Sequence, residues 1–165
     1  NEAYESPDVQ RYFTVAQCGE RDMIHLKELD AQHLMATLQQ RFKEHIVYTN
    51  IGDIIISVNP FRKTANSKDE VQRRYADKFK AVFAAGEAAV AEQLAQLPPH
   101  IFTLIGQIYA RLRKLAESSE GHSISILIAG ESGAGKTEAM KLCVSHLGML
   151  SSEQQGAVKR CVPLL

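Results

Sequence analysis

Apolar residues recur at helical spacing after Asp30, a residue that can cap a helix through its carboxylate. The predicted buried face consists of Leu34, Met35, Leu38 and Phe42. Steps of three and four among these positions, with polar residues between them, indicate an amphipathic helix that ends near Glu44.

Three later stretches also have a helical pattern. Residues 69–96 are rich in alanine, but Gly86 divides them into two predicted helical pieces, because an interior glycine weakens a helix by about 1 kcal/mol. The next helix begins at Pro98 and Pro99, which suit a first turn because amide donors are not needed there. Its apolar face consists of Ile101, Leu104, Ile105, Ile108, Leu112 and Leu115. The last helix begins near Gly135, and its apolar residues at helical spacing are Met140, Val144 and Leu147.

Aliphatic runs predict three strands. The first two, residues 46–49 and 53–58, are separated by Asn50 and Gly52, which suit the turn of a hairpin. The third strand, residues 123–129, is aliphatic on both faces, as is the centre of the second strand. Such runs are typical of strands that are covered on both sides of a sheet.

The first 21 residues show no sustained period. We therefore expect residues 1–20 to form a lead-in segment, with one short extended piece around residues 11–16. Residues 21–165 contain no internal repeat and no low-complexity linker, and they are predicted to form one compact unit.

Composition and charge fit a single globular domain. The 165 residues are 45% hydrophobic and 23% charged, which allows a sizeable core. Nineteen basic and nineteen acidic residues cancel, so the chain lacks the overall positive field that concentrates nucleic acid or anionic lipid. Three scattered cysteines are too few for a disulfide framework or a zinc site, which favours a reducing, cytosolic compartment. No apolar run approaches the roughly 20 residues that span a bilayer.

A glycine-rich octet carries the candidate chemistry. It matches G-x-x-x-x-G-K-[ST] and consists of Gly130, Glu131, Ser132, Gly133, Ala134, Gly135, Lys136 and Thr137. The octet follows a predicted strand and precedes a predicted helix, which is the placement that phosphate binding requires. Glycines leave room for phosphates and let successive N–H groups turn inward, beside the positive end of the helix dipole.

The last two residues of the octet predict a nucleoside triphosphate with Mg²⁺. Lys136 would reach the β and γ phosphates as a point charge, and the Thr137 hydroxyl would enter the coordination shell of the metal ion. The alternative is that the octet is only a turn that begins a helix, with Lys136 exposed to solvent. This alternative does not explain why all the specified positions of the motif are present between a strand and a helix.

Four segments resemble myosin motor heads in their order and approximate spacing. They are RDMIHLKELD at residues 21–30, HLMATLQQRFKEHIVYTNIGDIIISVNPF at 33–61, PPHIF at 98–102 and GESGAGKTE at 130–138. Together they extend over about residues 21–150, and their joint occurrence is specific to this family among P-loop proteins.

The resemblance implies an α/β fold, a partial P-loop NTPase core that stops before the switch segments of the motor. It implies that Asn59, Pro60, Phe61 and Lys63 border the adenine pocket, and that residues 130–137 hold the phosphates of ATP, with Ser132 close to the γ-phosphate. It also implies an actin-based motor with a Mg-dependent, actin-activated ATPase, associated with the cytoskeleton in the cytoplasm. Actin would bind to regions downstream of these residues.

Three departures from the family pattern concern the base rather than the phosphates. In the family a tyrosine that flanks the base usually follows the NPF segment by a few residues. Residues 64–69 contain no tyrosine, and the next tyrosine is Tyr75. Ala139 stands where an asparagine is usual, and the stretch between Phe79 and Pro98 is longer than is typical. These departures put the affinity and selectivity for adenine in question.

Hydrolysis requires groups that this sequence does not contain. Segments of the kind NxNSSRFGK and DIxGFE do not occur, and residues 138–165 contain no aspartate that could complete the shell of a metal ion. We therefore expect these residues alone not to hydrolyse ATP, and we expect strand edges left without neighbours to favour aggregation. A non-motor nucleotide-binding scaffold or pseudo-ATPase stays open as an alternative, whereas the PHIF and NPF segments argue against a small P-loop kinase.

Overall fold

The structure is a computed structural model that describes residues 6–16, 19–85, 97–116 and 123–151. Its helices are α1 (Pro7–Ala16), α2 (Ala31–Lys43), α3 (Asp69–Ala85), α4 (Ile101–Ala116) and α5 (Lys136–Ser151). Its strands are β1 (Tyr48–Ile51) and β2 (Ile54–Ser57), and short 3₁₀ turns lie at Met23–His25 and Ala65–Ser67. Among the helices in these ranges, none combines the length and the apolar character that crossing a bilayer requires.

Helix α1 replaces the extended piece that was expected at residues 11–16, so that prediction was wrong. Val9, Tyr12 and Phe13 are spaced by three and one residues and are all buried in the core. The Arg74 guanidinium lies 4.0 Å from the centre of the Phe13 ring, and the Ser6 hydroxyl donates to Glu70 at 2.8 Å. Because the helix is only ten residues long, its apolar period is too short to be recognised without its tertiary contacts.

Helix α2 confirms its predicted cap and end and part of its predicted face. The Asp30 carboxylate accepts a hydrogen bond from the His33 amide at 2.8 Å, and the helix ends at Lys43. Leu34 and Leu38 are half-buried, whereas Met35 and Phe42 are exposed, so the buried face is narrower than predicted.

A buried arginine also lies on the inner face of α2. The Arg41 guanidinium donates to the Thr49 hydroxyl at 3.0 Å and to the carbonyl oxygens of Tyr48 and Glu20 at 3.2 and 3.0 Å. A charged side chain is tolerated in this position because its donors are paired with oxygen atoms. These contacts attach α2 to β1 and to the segment before α2 that contains Glu20.

The predicted hairpin forms with a shifted first strand. In the antiparallel ladder Tyr48 lies opposite Ser57 and Ile51 lies opposite Ile54, so β1 begins two residues later than predicted. Gly52 occupies the turn with φ of 58°, a left-handed conformation that glycine adopts without strain. Asn50 lies in β1, so its assignment to the turn was wrong.

The predicted third strand, residues 123–129, forms no ladder with any described residue. Leu127 in this segment is 91% exposed, and Ile54 in β2 is 64% exposed. The expectation that both runs are covered on both faces was therefore wrong for the described ranges. An aliphatic run can form a sheet strand only where another strand lies beside it, and in the described part of the chain β2 pairs with β1 alone.

The core lies where α3, α4 and α5 pack together. Its large fully buried side chains include Tyr75, Phe79, Phe102 and Ile105. Helix α3 confirms the first of the two helical pieces predicted in residues 69–96, and the second piece falls outside the described residues. Helix α4 begins at Ile101, after the two prolines rather than at them.

Two histidines are buried in this core. His100 lies among aromatic rings, its Nδ1 accepts from the Phe102 amide at 3.0 Å, and its Nε2 lies 3.0 Å from the Asn66 carbonyl oxygen. His146 of α5 stacks on Phe102 at 4.4 Å, and neither of its ring nitrogens has a hydrogen-bond partner among the described residues. Burial lowers the pKa of His100 to about 3 and that of His146 to about 4, so both rings are neutral in the folded protein.

Acid should therefore destabilise this part of the fold. A histidine released by unfolding binds a proton below a pKa of about 6.5, whereas the buried rings do not. The contribution of the two neutral rings to the free energy of unfolding is fully present above that pH. It decreases as the pH falls toward 4, by up to about 1.4 kcal/mol per pH unit for each ring. Urea denaturation between pH 7 and pH 4.5 measures this slope. A His146→Phe variant, which keeps the stacked ring, should show a smaller slope, and an unchanged slope would contradict the assignment.

Candidate functional site

The first six residues of the glycine-rich octet form a loop after the segment 123–129, and its last two residues begin α5. Gly133 and Gly135 have φ values of 80° and 95°, which residues with side chains rarely adopt. The Ala134 amide donates to the Glu131 carbonyl at 3.1 Å and closes a turn within the loop. The loop thus enters a helix through the left-handed conformations that its glycines permit.

Lys136, the first residue of α5, reaches back over the loop. Its ammonium group donates to the Gly130 carbonyl at 2.7 Å and to the Glu131 carbonyl at 2.8 Å. A lysine ammonium is a compact charge with three donors, and phosphate oxygens are stronger acceptors for it than carbonyl oxygens. The side chain is therefore positioned at the loop, where it can bind an anion.

The hydroxyl-bearing residues of the octet are exposed. Ser132 lies in the loop, and Thr137 is the second residue of α5. Mg²⁺ prefers oxygen ligands and commonly keeps several waters, so one hydroxyl beside phosphate oxygens is a chemically suitable contribution. The Thr137 hydroxyl lies at the exposed start of α5, so its oxygen is accessible for such a contribution.

An apolar groove of about 340 Å³ lies along the inner side of the loop. Its walls include Ile54 of β2, Leu104 of α4 and Leu127 of the segment 123–129. Gly135 and Lys136 lie at its border with the loop, and Ala139 also lines it. The groove separates β2 from the segment that leads into the octet.

The residues expected at the adenine pocket are not all brought together. The Asn59 side chain donates to the Gly133 carbonyl at 2.7 Å, so this residue contacts the octet directly. Pro60 follows it as a partly buried residue, and Phe61 is 85% exposed with φ of 49°. Lys63 lines a different cavity of about 390 Å³, which borders α1 and the end of α2.

The departures from the family pattern also have defined positions. Tyr75 is fully buried, and its hydroxyl donates to the Pro98 carbonyl at 3.1 Å, so it belongs to the core. Ala139 is partly buried and packs against the core. Neither residue supplies an exposed aromatic ring or a polar side chain beside the octet.

Two contacts of the loop after β2 could not be found from sequence. The Asn59–Gly133 hydrogen bond joins residues 74 positions apart. An Arg62 donor lies 2.9 Å from His45 Nδ1 and joins the same loop to the end of α2. An Asn-Pro pair after a strand signals a turn, but it carries no information about which distant carbonyl its amide will reach.

The sequence also matches known proteins over nearly its whole length. The family model described as Myosin head (motor domain) matches residues 20–162. This chain belongs to the myosin head family. The described part of this myosin head consists of helices and one small two-stranded sheet.

Relatives of this myosin head include heavy chains from amoebae and a fungus. It is 35% identical to "Myosin IC heavy chain" of Dictyostelium discoideum over 82% of the chain, and 33% identical to "Myosin heavy chain IB" of Acanthamoeba castellanii over 92%. It is 31% identical to "Myosin-1" of Coprinopsis cinerea over 92% of the chain. The alignments cover 10%, 12% and 10% of those three proteins, so the chain spans about a tenth of their length.

Proposed function

We propose that this chain is the ATP-binding part of an actin-based myosin motor, which couples the hydrolysis of Mg-ATP to movement on actin filaments. The observation that carries the proposal is the octet with its left-handed glycines and its lysine folded over the loop, in a chain of the myosin head family. A P-loop NTPase core is the fold that uses such a loop to bind phosphates.

In this proposal residues 130–137 bind the triphosphate. Backbone N–H groups and the helix dipole of α5 attract the anion, Lys136 neutralises part of its charge, and Thr137 contributes a ligand to Mg²⁺. A metal ion held there would supply positive charge to offset the negative charge that develops during phosphoryl transfer. Asn59, Pro60, Phe61 and Lys63 border the base in the family pattern, and of these Asn59 lies against the octet.

Hydrolysis and actin binding belong to the whole protein in this proposal. The described residues supply phosphate binding, while water positioning and actin contacts come from sequence beyond them. The protein would then work in the cytoplasm, in association with the actin cytoskeleton. Its neutral overall charge provides no argument for nucleic acid as a partner.

A nucleotide-binding scaffold without motor activity is the second candidate. The burial of Tyr75 and the apolar side chain at Ala139 favour it, because they leave the base without two of the usual family contacts. Such a protein would bind ATP without coupling it to actin.

Release from actin separates the two functions. The full-length protein is sedimented with actin filaments in the presence and absence of Mg-ATP, with Mg-ADP as the control. A motor should leave the pellet when Mg-ATP is added, whereas a scaffold should bind ATP without any change in actin binding. Absence of any ATP binding would contradict both functions.

A further inference from the structure

Asn59 lies two residues after the end of β2, and both ends of its side-chain amide form hydrogen bonds. The Nδ2 group donates to the Gly133 carbonyl at 2.7 Å, and the Oδ1 atom accepts from the Phe61 amide at 2.9 Å. One side chain thereby links the glycine-rich octet to the backbone that follows the hairpin. The link is short and directional, since it joins one donor to one acceptor at each end.

The orientation of this amide is fixed by its partners. If its oxygen and nitrogen exchanged places, the oxygen would face the Gly133 carbonyl and the nitrogen would face the Phe61 N–H. Both contacts would then be repulsive, so the network itself determines which end donates.

The contact with Gly133 affects how the loop can present its amides. Successive N–H groups converge on an anion only when the carbonyl oxygens between them point elsewhere. The Asn59 amide holds the Gly133 carbonyl, and it also lies beside Gly135, where an added Cβ would be 3.7 Å from Nδ2. Asn59 therefore contacts the octet at the two glycines whose φ values are 80° and 95°.

We propose that Asn59 is a positioning residue, which aligns the phosphate-binding loop by holding the Gly133 carbonyl, rather than a residue that selects the base. This inference rests on the proposed binding of a nucleoside triphosphate at residues 130–137. In this proposal Asn59 supports the binding of the phosphates, whereas the family pattern implies that it borders the adenine. The exposed Phe61 is held in its left-handed conformation by the same side chain.

The two roles make different predictions for ligands with and without a base. Asn59→Ala is tested in the full-length protein with three ligands, each with Mg²⁺: ATP, GTP and inorganic tripolyphosphate. A positioning role predicts that all three affinities fall by a similar factor of about five, which is the typical effect of one hydrogen bond. A loss confined to ATP, or no loss, would overturn the proposal.

A second variant keeps the shape of the side chain. Asn59→Asp can still accept from the Phe61 amide, but its carboxylate cannot donate to the Gly133 carbonyl and brings a negative charge near the phosphates. It should weaken tripolyphosphate binding more than Asn59→Ala does, and binding equal to that of the unsubstituted protein would overturn the proposal.

Arg62→Ala is the matched control for loosening of the same loop. It removes the contact with His45, which lies on the side of the loop that faces α2. Tripolyphosphate affinity should change by less than about twofold, and a loss equal to that of Asn59→Ala would overturn the role of the Gly133 contact. Failure of the proposed function is separately recognisable, because the unsubstituted protein would then bind neither ATP nor tripolyphosphate.

Discussion

Replacing Lys136 by alanine should reduce the affinity for Mg-ATP about 100-fold, because hydrogen bonds to a charged group are worth more than neutral ones. The lysine ammonium already lies over the loop, within 2.7 Å of the Gly130 carbonyl and 2.8 Å of the Glu131 carbonyl. A bound triphosphate would offer it charged oxygens in place of these carbonyls. Isothermal titration of the full-length protein with Mg-ATP measures the change.

Lys141→Ala is the control for the loss of one positive charge from α5. The Lys141 ammonium pairs with Glu138 at 2.7 Å on an exposed surface of the same helix. Because exposed pairs contribute little, ATP affinity should change by less than about twofold. Equal losses in the two variants would show that overall charge, rather than the position of Lys136, determines binding.

Gly106→Ala should destabilise the fold by about 2 kcal/mol, although alanine is the better helix former. Gly106 lies in α4 against Phe79 of α3, and a Cβ at this position would overlap the ring of that phenylalanine. Phe79 is fully buried, so its ring has no free space into which it could move. The melting temperature of the full-length protein should fall by several degrees.

Replacing Gly148 by alanine should have the opposite effect on stability. Gly148 lies in α5, and apart from its chain neighbours and the adjacent helix backbone no described atom lies within 4 Å of a Cβ built there. The change should therefore stabilise the protein by up to about 1 kcal/mol through helix propensity alone. If both variants raised the melting temperature, the close packing of α3 against α4 would be contradicted.

Features that depend on nearby residues could be predicted from the sequence. Asp30 begins α2 because its carboxylate reaches an amide three residues later, and Gly52 occupies the hairpin turn because the turn requires a positive φ. The octet lies before a helix, as its motif requires. In each case the residues that interact are close in the sequence.

Features that depend on residues distant in the sequence could not be predicted in this way. Arg41 is buried because Thr49, Tyr48 and Glu20 supply oxygen atoms to its guanidinium, and nothing in α2 indicates this. Helix α1 was missed because its short apolar face is stabilised by α3 and its neighbours.

The predicted strand at residues 123–129 failed for the converse reason. Its composition suits a covered strand, but within the described ranges no strand lies beside it. Composition describes what a segment can bury, and only the surrounding structure determines whether it is buried.

The same limit applies to the candidate site. The motif identified the octet, and the roles predicted for Lys136 and Thr137 rest on this one short segment. It did not show that Asn59 would reach Gly133 while Lys63 lines a separate cavity. The proposed phosphate site is therefore a local feature of the sequence, whereas the proposed base site depends on how distant loops meet.

Amide hydrogen exchange tests the central claim most directly, since that claim concerns the backbone N–H groups of residues 130–137. Exchange is measured in the full-length protein with and without Mg-ATP, and again in the Lys136→Ala variant. Bound phosphate oxygens should slow exchange in these residues in the unsubstituted protein, with little slowing in the variant. Protection by Mg-ATP elsewhere in the chain, with unchanged exchange in residues 130–137, would contradict the account.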